Sequence, residues 1–229
     1  MGKQEMKVWQ SATAAVLLLI SGLQAQAGVV IGGTRLIYDG AKKESSLNIS
    51  NPDKVPYLVQ SWVDTQEGDT SKAPFIITPP LFRLDGGQDN ILRVVRAGGN
   101  LPTDKESLYW LNIKSIPSAE KKDNTLQIAV KTRIKLIYRP QGLQGSLDQA
   151  AQALKWQRSG NALQVTNSSP YYVTFFNVKV NGSPIKNATM VAPQSSARFD
   201  LPAGVSGGAL SWEIINDYGG TSKPFTGNL

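Results

Sequence analysis

Residues 125–138 read Thr125-Leu126-Gln127-Ile128-Ala129-Val130-Lys131-Thr132-Arg133-Ile134-Lys135-Leu136-Ile137-Tyr138. Side chains of a strand point alternately to its two faces. One face of this run carries Leu126, Ile128, Val130, Thr132, Ile134, Leu136 and Tyr138. The other carries Gln127, Ala129, Lys131, Arg133 and Lys135, then Ile137. Such alternation predicts a β-strand with one buried face. The run covers fourteen residues, where a typical strand has about 5–6. A polar segment, Ala119 to Asn124, precedes it. A strand leaving such a loop can project past its own sandwich, so that Leu126, Ile128 and Val130 line an edge with free backbone groups. Edges of that kind invite pairing and are ordinarily blunted. The pattern alone leaves two readings open, an ordinary half-buried strand and a strand kept for a partner.

The surrounding sequence is all-β in character. Short runs rich in Val, Ile, Leu and aromatics recur between Gly, Pro, Asn and Asp clusters. They are Ser46–Ser50, Tyr57–Val63, Phe75–Thr78, Ile91–Val95 and Leu108–Ile113, then Ala162–Thr166, Tyr171–Val180, Ala197–Leu201 and Leu210–Ile215. Asn181-Gly182 sits where a tight hairpin turn would. Only Leu147–Trp156 has helical spacing. Pro140-Gln141-Gly142-Leu143-Gln144-Gly145 reads as a linker. It divides the chain into residues 28–144 and 145–229, each with enough strands for an immunoglobulin-like β-sandwich.

The first 27 residues differ from the rest. Lys3 and Lys7 precede an apolar run from Ala12 to Leu23, and Ala25-Gln26-Ala27 follows. This order is that of a secretory signal peptide, with either Met1 or Met6 as the start. The run is shorter than the roughly 20 apolar residues of a membrane span, and no other run is longer. An exported chain without membrane insertion is expected. The charge is +7, which can suit nucleic acid, anionic membranes or acidic partners. Export makes nucleic acid the weakest of these. There is no Cys and no His. That removes thiol nucleophiles, Ser-His-Asp triads and the usual transition-metal ligands. No enzyme, metal site or cofactor is expected. Trp62, Trp110 and Trp212 lie in apolar strand patterns and are expected in the core, as are Ser107 and Tyr109.

Several stretches together resemble the periplasmic pilus chaperones of the chaperone–usher pathway. They are Gly32-Gly33-Thr34-Arg35-Leu36-Ile37-Tyr38, Ile77-Thr78-Pro79-Pro80-Leu81-Phe82 and Glu106-Ser107-Leu108-Tyr109-Trp110-Leu111-Asn112-Ile113. Asn124 to Val130 continues the likeness into Arg133-Ile134-Lys135-Leu136-Ile137-Tyr138-Arg139-Pro140, followed by Asn167 to Tyr172 and Ile215-Asn216-Asp217-Tyr218-Gly219. The resemblance implies two immunoglobulin-like domains in a boomerang arrangement. It implies a chaperone that lends its long strand to a fimbrial subunit lacking one, then delivers that subunit to an outer-membrane usher. Leu126, Ile128 and Val130 match the donor side chains. Arg35 and Lys135 match the pair that anchors the subunit's terminal carboxylate. Glu106, Arg139 and Asp217 match a structural network between the domains. The short polar loop and absent cysteine pair resemble the short-loop subfamily, which serves pili with tip adhesins.

Strict alternation places Lys135 on the face opposite Leu126, Ile128 and Val130, so a bulge or strong twist is expected between them. A free donor edge can also pair with itself, which leaves self-association open. Two rival readings are a structural pilus subunit or adhesin and a carbohydrate-binding module. The mature start, Gly28 to Gly33, is short and Gly-rich for a subunit's own free arm.

Overall fold

A computed structural model describes residues 28–118 and 126–229. The expected signal peptide (1–27) and the polar loop Ala119 to Asn124 lie outside these residues.

The first half is a sandwich of two sheets. β1 (Val30–Ile31), β3 (Glu44–Ser50), β7 (Asp89–Arg96) and β5 (Phe75–Thr78) form one sheet, in that order. The other sheet runs β2 (Arg35–Asp39), β9 (Val130–Arg139), β8 (Ser107–Pro117), β4 (Tyr57–Asp64) and β6 (Leu81–Leu84). Alternation fills the space between them. Leu47 and Ile49 of β3 and Leu92 and Val94 of β7 meet Val59 and Val63 of β4, Leu111 and Ile113 of β8, and Leu136 of β9. Tyr38 packs in tilted contact with Phe75 and Tyr138 at ring distances of 5.2 and 6.0 Å.

The N-terminal strand changes sheets at Gly32-Gly33, since β1 belongs to one sheet and β2 to the other. A Cβ at Gly32 would lie 2.9 Å from the Asn48 carbonyl oxygen, so only glycine permits this close crossing. β2 then pairs with β9 in parallel, with Arg35 opposite Lys135.

The second half packs β10 (Lys155–Ser159), β11 (Ala162–Asn167) and β15 (Ser195–Asp200) against a sheet built on β12 (Val173–Val180) and β16 (Ala209–Ile214). Trp212 is in this core, as expected, and its indole N–H donates to the Ala151 carbonyl at 3.1 Å. Asn181 and Gly182 link β12 to the short strand β13 (Ser183–Pro184), with φ of 49° and 78°. Two positive φ values in a two-residue loop make the tight turn that matches strand twist. The helical spacing predicted for 147–156 is only partly realised. Helix α1 covers Leu147–Gln152, capped by the Ser146 hydroxyl accepting from the Gln149 N–H. Lys155 onward joins β10 because Trp156 pairs with Val165 and packs on Phe175 and Trp212.

Candidate functional site

The long run of 125–138 forms a shorter strand than its pattern predicts. β9 starts at Val130, opposite Ser115 of β8. A strand exists only where a neighbour supplies hydrogen bonds. Here the pairing of β8 with β9 stops at Ser115↔Val130, and beyond it Ile116 and Pro117 pair with β4 alone, Pro117 having no N–H to offer. Leu126–Ala129 therefore stand outside any sheet. The predicted donors are exposed: Leu126 by 84%, Ile128 by 66% and Val130 by 54%. Further along the same face, Ile134, Leu136 and Tyr138 are buried. One alternating face thus changes from core to open surface along its length.

β9 has strands on both sides only from Lys135 to Arg139, where β2 lies along one edge. From Val130 to Ile134 that edge faces no strand among the described residues. The open stretch ends where Arg35 begins β2.

Arg35 and Lys135 stand in register on adjacent strands. Both reach across to the second domain. Arg35 is 8% exposed, and its Nη1 donates to the Ile215 carbonyl at 3.0 Å. Its Nε is buried without a hydrogen-bond acceptor, an unusual condition for a charged donor. Lys135 Nζ donates to Thr174 Oγ1 over a long 3.4 Å. Burial, and then the neighbouring Arg35 charge, push the Lys135 ammonium down to about 8. Two partly desolvated cations with spare donors make a cleft suited to a carboxylate.

The bulge expected between the donors and Lys135 is not present along β9. Pairing with β8 runs without a shift from Ser115↔Val130 to Ser107↔Tyr138. Donors and anchor occupy opposite faces, and only the twist of the strand relates them.

The network at the domain boundary is formed by the residues named from sequence. Arg139 Nε donates to Glu106 Oε1 at 2.6 Å. Its Nη1 and Nη2 grip Asp217 at 2.6 and 2.8 Å. Glu106 accepts a further bond from the Tyr172 N–H at 2.7 Å. Burial pushes the Glu106 carboxyl up, opposed by Arg139. Burial also works against the Arg139 guanidinium, but Asp217 and Glu106 outweigh it and hold the charge firmly. Leu108, Ile137 and Tyr172 form a small apolar cluster in the same boundary.

Sequence reasoning misplaced two tryptophans. Trp62 and Trp110 lie on the outer face of the β9–β8–β4 sheet, not in the core. Lys131 sits 4.9 Å over the Trp62 ring and Arg133 4.3 Å over Trp110. Tyr109 does join the core, edge-on to Phe75 at 5.1 Å. The alternation of Lys131, Arg133 and Lys135 was the available signal for this cationic face. Thr174 and the Ile215 carbonyl had no signal, since both lie in the other domain.

Residues 28–144 match the family model of the pili and flagellar-assembly chaperone PapD N-terminal domain, and residues 149–226 match that of the PapD C-terminal domain. The chain belongs to the PapD family of pili-assembly chaperones. This chaperone is 44% identical over 216 residues to chaperone protein LpfB of Salmonella typhimurium, covering 91% of this chain and 92% of that one. It is 40% identical over 227 residues to chaperone protein FocC of Escherichia coli, covering 97% and 99%. A chain in the solved complex of the Salmonella enterica SafA pilin with the SafB chaperone is 38% identical with a TM-score of 0.82, over 88% of this chain and 96% of that chain. Membership in a chaperone family sets aside both the structural-subunit and the carbohydrate-module readings.

Proposed function

We propose that this chaperone works in the periplasm, binds fimbrial subunits and tip adhesins by lending them the 126–134 segment, and passes them to an outer-membrane usher. No catalytic step is part of this reading. The observation that carries it is the exposed face of Leu126, Ile128 and Val130 leading to two cleft cations. Residues 28–144 form the donor-bearing domain and 145–229 the second domain that completes the cleft.

Leu126, Ile128 and Val130 enter the client's apolar groove, while the open backbone edge pairs with the client's strand. Each aliphatic side chain buried contributes roughly 1.5–3 kcal/mol, offset by the cost of association. Arg35 and Lys135 hold the client's terminal carboxylate. A client strand that ends at Lys135 and runs back along the open edge towards Leu126 is parallel to β9 and continues the line of β2. Fixing one end matters because a one-residue slip would turn every side chain to the wrong face. Glu106, Arg139 and Asp217 hold the domain angle. The SafB chaperone's solved complex with a pilin supports the choice of client.

The test is co-purification of a cognate fimbrial subunit co-expressed with the chaperone. Arg35→Ala and Lys135→Ala should each lose most of the recovered subunit. Undiminished recovery with both variants would overturn the anchor.

A further inference from the structure

β9 carries more cations on its cleft-side face than the anchor uses. Lys131 and Arg133 precede Lys135 at alternate positions, so all three project from one side of the sheet. On the neighbouring strand, Lys114 faces Lys131 in register. Like charges placed opposite each other are unfavourable. Among the described residues, none of Lys114, Lys131 and Arg133 forms an ion pair. The acid on this face, Asp64, is already occupied. It is buried and accepts from Asn112 Nδ2 at 2.9 Å and Thr70 Oγ1 at 2.6 Å.

The two β9 cations are instead mounted on indole rings, Lys131 on Trp62 and Arg133 on Trp110. Stacking uses the flat of a guanidinium and leaves its N–H edge open to a planar acceptor. Both residues remain exposed. These are exposed cations held over aromatic rings at the surface of the sheet.

Spacing identifies the acceptor. Alternate strand residues are about 6.6–6.8 Å apart, and a strand on the open edge beside Val130–Ile134 has the same repeat. With its terminal carboxylate at Lys135, its side chains two and four residues before the end lie beside Arg133 and Lys131. We propose that Lys131 and Arg133, with Lys114 behind them, form a second subsite that reads carboxylate side chains at those two client positions. This rests on the client-binding reading above and adds to it a sequence preference. Long-range attraction from the same column speeds encounter with an acidic client.

The probes are two synthetic peptides of about twelve residues, alternating Val with Glu or Val with Gln. Each is made with a free and an amidated C-terminus. Binding to the full chaperone is measured by calorimetry at low and high salt. The Glu peptide should bind about fivefold or more tighter than the Gln peptide at low salt, and the ratio should shrink as salt screens the charges. The K131Q/R133Q double variant should bring the ratio to about one. A ratio near one in the unmodified chaperone overturns the second subsite, and needs no variant to fold. If amidation still weakens both peptides in that case, the anchor reading survives. If amidation changes nothing, the register is wrong, and the subsite and the anchor reading fail together.

Discussion

Burial first, and then the Arg35 charge on the adjacent strand, work against the Lys135 ammonium. In the folded chain its ammonium is held at about 8, against an ordinary value of 10.5. Between these values the unfolded chain binds a proton that the folded chain has released, so folding stability rises with pH across that window. Below about pH 8 the charged lysine costs stability in full. Lys135→Met should therefore raise the urea midpoint at neutral pH, and the gain should shrink as pH approaches 10.5. A bound carboxylate favours the charged form. Client binding should then take up a proton above pH 8 and weaken as pH rises, which calorimetry in buffers of different ionisation enthalpy will detect. Family likeness picked these two residues from the sequence. Their contact could not be read there, because it depends on a parallel pairing between distant segments. Nor could the Thr174 hydroxyl and Ile215 carbonyl that hold them.

At the scale of the strand, period-two alternation named the faces of 130–138 correctly and overstated the strand's length. Alternation reports which side chains share a face. It is silent on whether a neighbouring strand is there to bond. The same limit misplaced Trp62 and Trp110, whose apolar rings are covered by the stems and charges of Lys131 and Arg133 rather than by a core. It also overran helix α1, where Trp156 is claimed by packing against Phe175 and Trp212. The split along β9 gives a direct prediction. Leu126→Ser with Ile128→Ser should leave the denaturation midpoint of the free chaperone within about 0.5 kcal/mol of the parent, as exposed substitutions do, while abolishing client recovery. Leu136→Ala, ten residues further on the same face and fully buried, should cost about 2–5 kcal/mol. Equal destabilisation by both changes would contradict the division of the strand.

For the molecule as a whole, the two sandwiches meet through few groups, and Arg139 bonds to two of them. It ties Glu106 of the first domain to Asp217 of the second, while Glu106 also holds the Tyr172 backbone. Buried ion networks are poor evidence of stability, yet removing one partner leaves the other's charge stranded. Glu106 is 3% exposed, so Arg139→Ala should destabilise by about 3 kcal/mol, the low end for such a break because Arg139 is partly exposed. The radius of gyration from solution scattering should grow and its distribution broaden. An unchanged scattering profile would show that Leu108, Ile137 and Tyr172 suffice to set the angle. The two-domain plan was legible from the turn-rich break at 140–145. The angle between domains was not, since it lies in contacts made across that break.

The crossing at Gly32-Gly33 has a consequence for measurement. By sending the first residues into the opposite sheet, it lets β2 begin only at Arg35, so the open edge of β9 is closed from Lys135 onward. The chaperone is thereby a ruler with a fixed zero. On the proposed client-binding reading, clients of different strand length would all be seated from that same mark.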